Sequence, residues 1–77
     1  MNDDMVDLMI HVDELLSPDS IESVRDVLFS QQGVMAAACN IKTPHLIVVE
    51  YDPGRANSLQ LLQSVTRQGL HARLVGL

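Results

Sequence analysis

Apolar and polar positions alternate from Met5 to Val12. Val6, Leu8, Ile10 and Val12 fall on one side, and Met5, Asp7, Met9 and His11 on the other. A period of two over that length predicts a half-buried strand. The period then changes. Ile21, Val24 and Leu28, with Val27 beside them, form an apolar stripe at helical spacing. Ser17-Pro18-Asp19 opens that helix: a hydroxyl cap, a proline at the first helical position, and an acid against the positive end of the helix dipole. Gln31-Gln32-Gly33 closes it, Gly33 being suited to a left-handed cap. Val34 to Ile41 predicts a second strand, diluted by Ala36, Ala37 and Ala38. After a turn at Lys42-Thr43-Pro44, His45 to Tyr51 predicts a third, rich in β-branched residues. The short connection makes the two a hairpin. Asp52-Pro53-Gly54 stops the strand. A second helix, capped by Asn57 or Ser58, carries a stripe of Leu59, Leu62 and Val65 with Leu61 at its flank. Gly69 ends it, and Leu70 to Val75 is a final short strand.

The order β-α-β-β-α-β is the split βαβ arrangement of the α+β, ferredoxin-like class. It predicts a four-stranded antiparallel sheet in the order 4-1-3-2 with two helices on one face. The 77 residues make one domain, with residues 1–4 expected to fray.

Composition narrows the function. Residues 1–26 hold eight acids against Arg25 alone, a net −7, whereas residues 27–77 hold two acids against four cations, a net +2. Phosphate recognition needs a basic patch, so nucleic acid is not an expected partner. The acidic end is suited to steering a basic protein. No apolar run approaches the ~18 residues of a membrane span, and Met1 is followed by Asn2-Asp3-Asp4 instead of a basic and then an apolar region, so a secretory signal is not expected. The lone Cys39 cannot form an intramolecular disulfide. These features read as cytoplasmic, or as a soluble piece of something larger.

Three landmarks carry a family resemblance. Gly33-Val34 follows Ser20 by thirteen residues; Val49-Glu50-Tyr51-Asp52-Pro53 ends the third strand; and Gly69-x-x-Ala72-x-Leu74-Val75 closes the chain. With the loop His11-Val12-Asp13-Glu14-Leu15-Leu16-Ser17-Pro18-Asp19-Ser20, they resemble the heavy-metal-associated domains of copper chaperones and metal-pumping ATPases. The resemblance covers about Val6 to Val75. That family holds a soft ion with Gly-Met-x-Cys-x-x-Cys. Here Glu14 replaces the Gly, Leu15 the Met, and Ser17 and Ser20 the two Cys. A serine hydroxyl is a hard, neutral oxygen and a poor Cu(I) ligand. The loop is therefore expected to be a degenerate metal site, and no cofactor is expected.

Other candidate chemistry is sparse. Cys39 should point inward with Ala37 and Ile41 as a small core residue. His11 and His71 fall near each other on the uncovered sheet face, because the first and last strands are neighbours in this fold. With Asp13 or Glu14 nearby, they are candidate ligands for Zn, Ni or Cu(II). His45 is expected to be a solvated turn residue. Met9, Ala36, Ala38, Leu46, Val48 and Val75 should make the uncovered face unusually apolar, a candidate surface for a protein partner or a homodimer. No nucleophile-base pair, phosphate loop or paired inward carboxylates can be read, so no enzyme is expected. The expectation is a non-catalytic interaction or regulatory module, working through the open face or the acidic loop end. The alternative is a metal carrier or sensor using His11 and His71.

Overall fold

A computed structural model describes residues 5–40 and 42–75. Six elements follow in the predicted order: β1 (Val6–Val12), α1 (Pro18–Ser30), β2 (Val34–Cys39), β3 (Leu46–Tyr51), α2 (Ser58–Thr66) and β4 (Ala72–Val75). The strands form one sheet in the order β2-β3-β1-β4, every neighbouring pair antiparallel. The expected fraying of residues 1–4, and Ile41 as the end of the second strand, lie outside the described residues.

Strand alternation sets the two faces. Ile10, Val12, Ala37, Ile47, Val49 and Tyr51 point inward and are buried, meeting Val24 and Leu28 of α1 and Leu61 and Val65 of α2 in one core. Complete burial of a side chain such as Ile10 or Leu28 stabilises by ~1.5–3 kcal/mol. Both helices therefore cover the same face, leaving the other open.

Each helix starts on a side-chain cap. Ser17 Oγ accepts the Ser20 N–H at 3.2 Å, and Asn57 Oδ1 accepts the Gln60 N–H at 2.7 Å. Asp52 shapes the β3–α2 turn. Its side chain accepts the Gly54 N–H at 2.9 Å, and its carbonyl accepts those of Arg55 and Ala56, both at 3.0 Å. Gly33, at φ +94°, turns the chain from α1 into β2.

The α2 stripe and two strand starts need correction. The buried stripe of α2 is Leu61, Ser64 and Val65, not Leu59, Leu62 and Val65: Leu61 is fully buried whereas Leu59 is 58% exposed. The helix begins at Ser58, and that phase turns Leu61 and Val65, one turn apart, toward the sheet. Ser64 satisfies its buried hydroxyl by donating to the Leu61 carbonyl at 2.7 Å. Two strands also start later than their patterns, the third at Leu46, where the Leu46 N–H donates to the Thr43 carbonyl in the turn at 3.0 Å, and the fourth at Ala72 rather than Leu70.

Candidate functional site at the loop end of the sheet

Residues 13–17 lead from the end of β1 into α1. Leu16 turns into the core, while Leu15 stands 74% exposed. Ser17 and Ser20 satisfy each other. Besides accepting the Ser20 N–H, Ser17 donates its hydroxyl proton to Ser20 Oγ at 3.0 Å. The junction is thus closed by the chain's own hydrogen bonds.

The sequence placed Glu14 or Asp13 near the two histidines as a candidate co-ligand; the structure makes Glu14 a tie to His71. Its carboxylate accepts the His71 N–H at 2.9 and 3.2 Å, and the His71 Nδ1–H at 2.7 Å. With the Asp13 N–H donating to the His71 carbonyl at 2.7 Å, this ties the loop to the start of β4. The hydrogen bond from His71 holds the Glu14 carboxyl below the usual carboxylate range, and Glu14 in turn raises the His71 imidazole above its usual value. The contact joins residues 57 apart in sequence, which no local pattern encodes.

His11 is stacked on His45, with ring centroids 5.8 Å apart and planes 17° from parallel. Instead of being solvated in the turn, His45 is half-buried, its Nδ1 lying 2.9 Å from the Val12 carbonyl. A carbonyl only accepts, so that nitrogen carries the proton, leaving Nε2 with the lone pair in the neutral ring. His11 Nδ1 is buried without a hydrogen-bond partner, 3.5 Å from Asp13 Oδ1. The sequence placed His11 with His71; the structure stacks His11 on His45 and pairs His71 with Glu14.

A groove of about 640 Å³ opens beside this loop, lined by Leu15, Leu16, Ser17, Pro18, Ile21, Cys39 and Pro44. Its wall is mostly apolar. Cys39 packs against the core as expected, but its Sγ reaches the groove, 3.7 Å from the Pro44 carbonyl. Burial pushes the thiol up, with Arg25 pulling weakly the other way. On the open sheet face, Ala38, Val48, Met9 and Val75 occupy one cross-strand row, and Leu46 lies in the next row with His11 and Arg73.

An antiparallel sheet in this order, backed by two helices and carrying such a loop-to-helix junction, is the ferredoxin-like fold of the heavy-metal-associated domains. No family model matches the chain, and no curated protein matches it in sequence. The likeness is to solved structures. A copper-binding domain of HMA7, a P-type ATPase, superposes with a TM-score of 0.82 at 17% identity, over 91% of this chain and 93% of that one. The N-terminal domain of a potential copper-translocating P-type ATPase from Bacillus subtilis, in its Cu(I)-loaded state, gives 0.82 at 20% identity, over 91% and 86%. The CopZ metallochaperone gives 0.78 at 20%, over 91% and 100%. At such identities the likeness is one of fold.

These comparisons correct the expectation of no cofactor. The structures sharing this fold are described as copper-binding, Cu(I)-loaded or metallochaperone, which stands against that expectation. The loop residues do not fit an ion held by two thiolates. Both positions carry neutral hydroxyls already bonded to each other, and burial pushes the one nearby thiol up. Among the described residues, no group of three or more His, Cys, Asp or Glu is placed to hold a metal ion. Nor is any described helix long and apolar enough to cross a membrane.

Proposed function

We propose that this chain is a non-catalytic, metal-associated domain that serves copper handling by docking to a protein partner through its loop end. The observation that carries this reading is Leu15, which projects into solvent at the lip of the apolar groove. An exposed leucine beside a concave apolar wall suits burial against another protein. Asp13, Glu14, Asp19 and Glu22 lie along the same stretch of chain, which favours a basic partner by electrostatic steering. Copper enters from the described ligands of the similar structures. Titration of the labelled protein with a basic, Cu(I)-carrying chaperone or ATPase domain tests the proposal by NMR. Shifts are expected at residues 13–22 and should be lost in Leu15→Asp. Shifts confined to another face, or none at millimolar partner, refute it.

A second reading rests on the imidazoles. The Val12 carbonyl fixes Nδ1–H of His45, whose ring stacks on His11, while Glu14 fixes Nδ1–H of His71 in the same way. Such outer contacts orient imidazole ligands. Zn²⁺, Ni²⁺ and Cu²⁺ suit imidazole better than Cu(I) suits serine. Calorimetric titration with each ion should show binding weakened by His11→Ala and His71→Ala. Unchanged affinity in both variants refutes this reading.

A further inference from the structure

The open sheet face is ordered by charge as well as by hydropathy. The register lines up three rows across the strands. The first is Ala36, Glu50 and Asp7; the second is Ala38, Val48, Met9 and Val75; the third is Leu46, His11 and Arg73. The middle row is apolar across all four strands, and Val48 at its centre is 39% exposed. One flanking row is acidic, with Asp7 directly opposite Glu50. Like charges so placed repel. No cation pairs with them among the described residues, and Arg73, on the other side of the apolar row, has no acidic partner there either.

This face is a strip with opposite charge at its two ends, and it can pack on itself in only one favourable sense. Closed dimers are two-fold symmetric and put the same patch against itself. A two-fold axis parallel to the strands would place carboxylate on carboxylate. An axis along the middle row lays that row on its own copy and reverses the ends. Asp7 then faces the partner's third row, with Arg73 one strand over, within its side-chain reach, and the contact occurs twice.

From this arrangement we infer that a second copy of this chain covers the open face, in a two-fold dimer whose axis follows the Ala38-Val48-Met9-Val75 row and in which Asp7 of each protomer pairs with the Arg73 side chain of the other. Four strands about 4.8 Å apart and three rows about 6.8 Å apart give roughly 400 Å² per protomer. That is roughly 800 Å² in all, below the ~1,200 Å² of a stable interface, so the dimer is weak and transient. This inference is independent of docking at the loop end, which uses other residues.

Sedimentation equilibrium from about 20 μM to 1 mM in low salt tests it. The mass should rise with concentration from 8.5 kDa toward twice that value, and less steeply at high salt. Asp7→Arg and Arg73→Asp should each weaken association by about tenfold or more. The double exchange, Asp7→Arg with Arg73→Asp, should restore it, which general stickiness would not do. Val48→Lys should abolish it. Circular dichroism checks that each variant folds, and all three positions are solvent-facing. A wild type that stays at 8.5 kDa at 1 mM, or a double exchange no better than the single changes, overturns the inference.

Discussion

Gly33 and Gly69 share one backbone conformation and differ in what surrounds them, so a pair of alanine substitutions separates two costs. Both have positive φ, +94° and +85°. A Cβ in that region costs roughly 1–2 kcal/mol for conformation alone. At Gly69 a Cβ meets nothing within 4 Å, so that figure is the whole expectation. At Gly33 it would lie 2.7 Å from Arg55 Cβ and 3.3 Å from the Ala56 backbone nitrogen. Arg55 cannot yield by rotating its side chain, because Cβ moves only with the backbone. That backbone belongs to the turn anchored by the Asp52 carbonyl, and the Asp52 N–H donates to the Gly33 carbonyl at 2.8 Å. Relieving the overlap pushes β2's entry away from the turn before α2, adding ~1–3 kcal/mol of overpacking strain. Gly33→Ala should therefore cost about 2–5 kcal/mol and Gly69→Ala about 1–2. In a domain of this size each kcal/mol lowers Tm by about 4–8 °C. Thermal melts followed by circular dichroism measure both. If Gly33→Ala melts no lower than Gly69→Ala, the close approach to Arg55 does not matter, and the steric reasoning fails.

Other outcomes follow from the loop tie and the second helix. Because Glu14 raises the His71 imidazole, Glu14→Gln should lower the His71 pKa in a metal-free NMR titration; an unchanged value would show that the pair does not persist in solution. The raised His71 value contributes stability below its ordinary 6.5 that is lost as pH rises through the raised value, and the lowered Glu14 value contributes stability above its ordinary 4.5 that is lost on acidification. The tie should thus hold best between those two values, as read by amide exchange at His71. In α2, Leu61→Ala should cost ~2–5 kcal/mol and Leu59→Ala no more than about 0.5; comparable losses in urea unfolding would show the helix phase to be wrong.

The strands of this fold were legible because each buries one face. Val6 to Val12 alternates cleanly, and a slip of one residue would expose Ile10 and Val12 while burying Asp7 and His11. The α2 stripe was less legible because its apolar residues satisfy two helical phases. Leu59, Leu62 and Val65 make as regular a series as Leu61 and Val65, and a buried serine at position 64 hides the true face. Ser17 could be read as a cap from its neighbours Pro18 and Asp19. Glu14 was read only as a neighbour of the histidines and His45 only as a solvated turn residue, since the contacts of each reach across the fold: one to the start of β4, the other to the carbonyl of Val12. Local periodicity carries no information about a side chain that rotates out past the end of its strand.

The hydroxyl pair of Ser17 and Ser20 has a consequence for what the loop can communicate. In a junction shaped by a bound ion, loop conformation and occupancy are linked, and a partner that grips the loop senses whether it is loaded. Here the same stretch of chain is shaped by a 3.0 Å hydrogen bond between two of its own side chains. On the proposed docking mode, a partner touching Leu15 and Pro18 would meet a surface set by that bond and not by an ion between residues 17 and 20. As a signal, such a loop would be constant: it would report how much of the domain is present, but not whether an ion sits at those two positions.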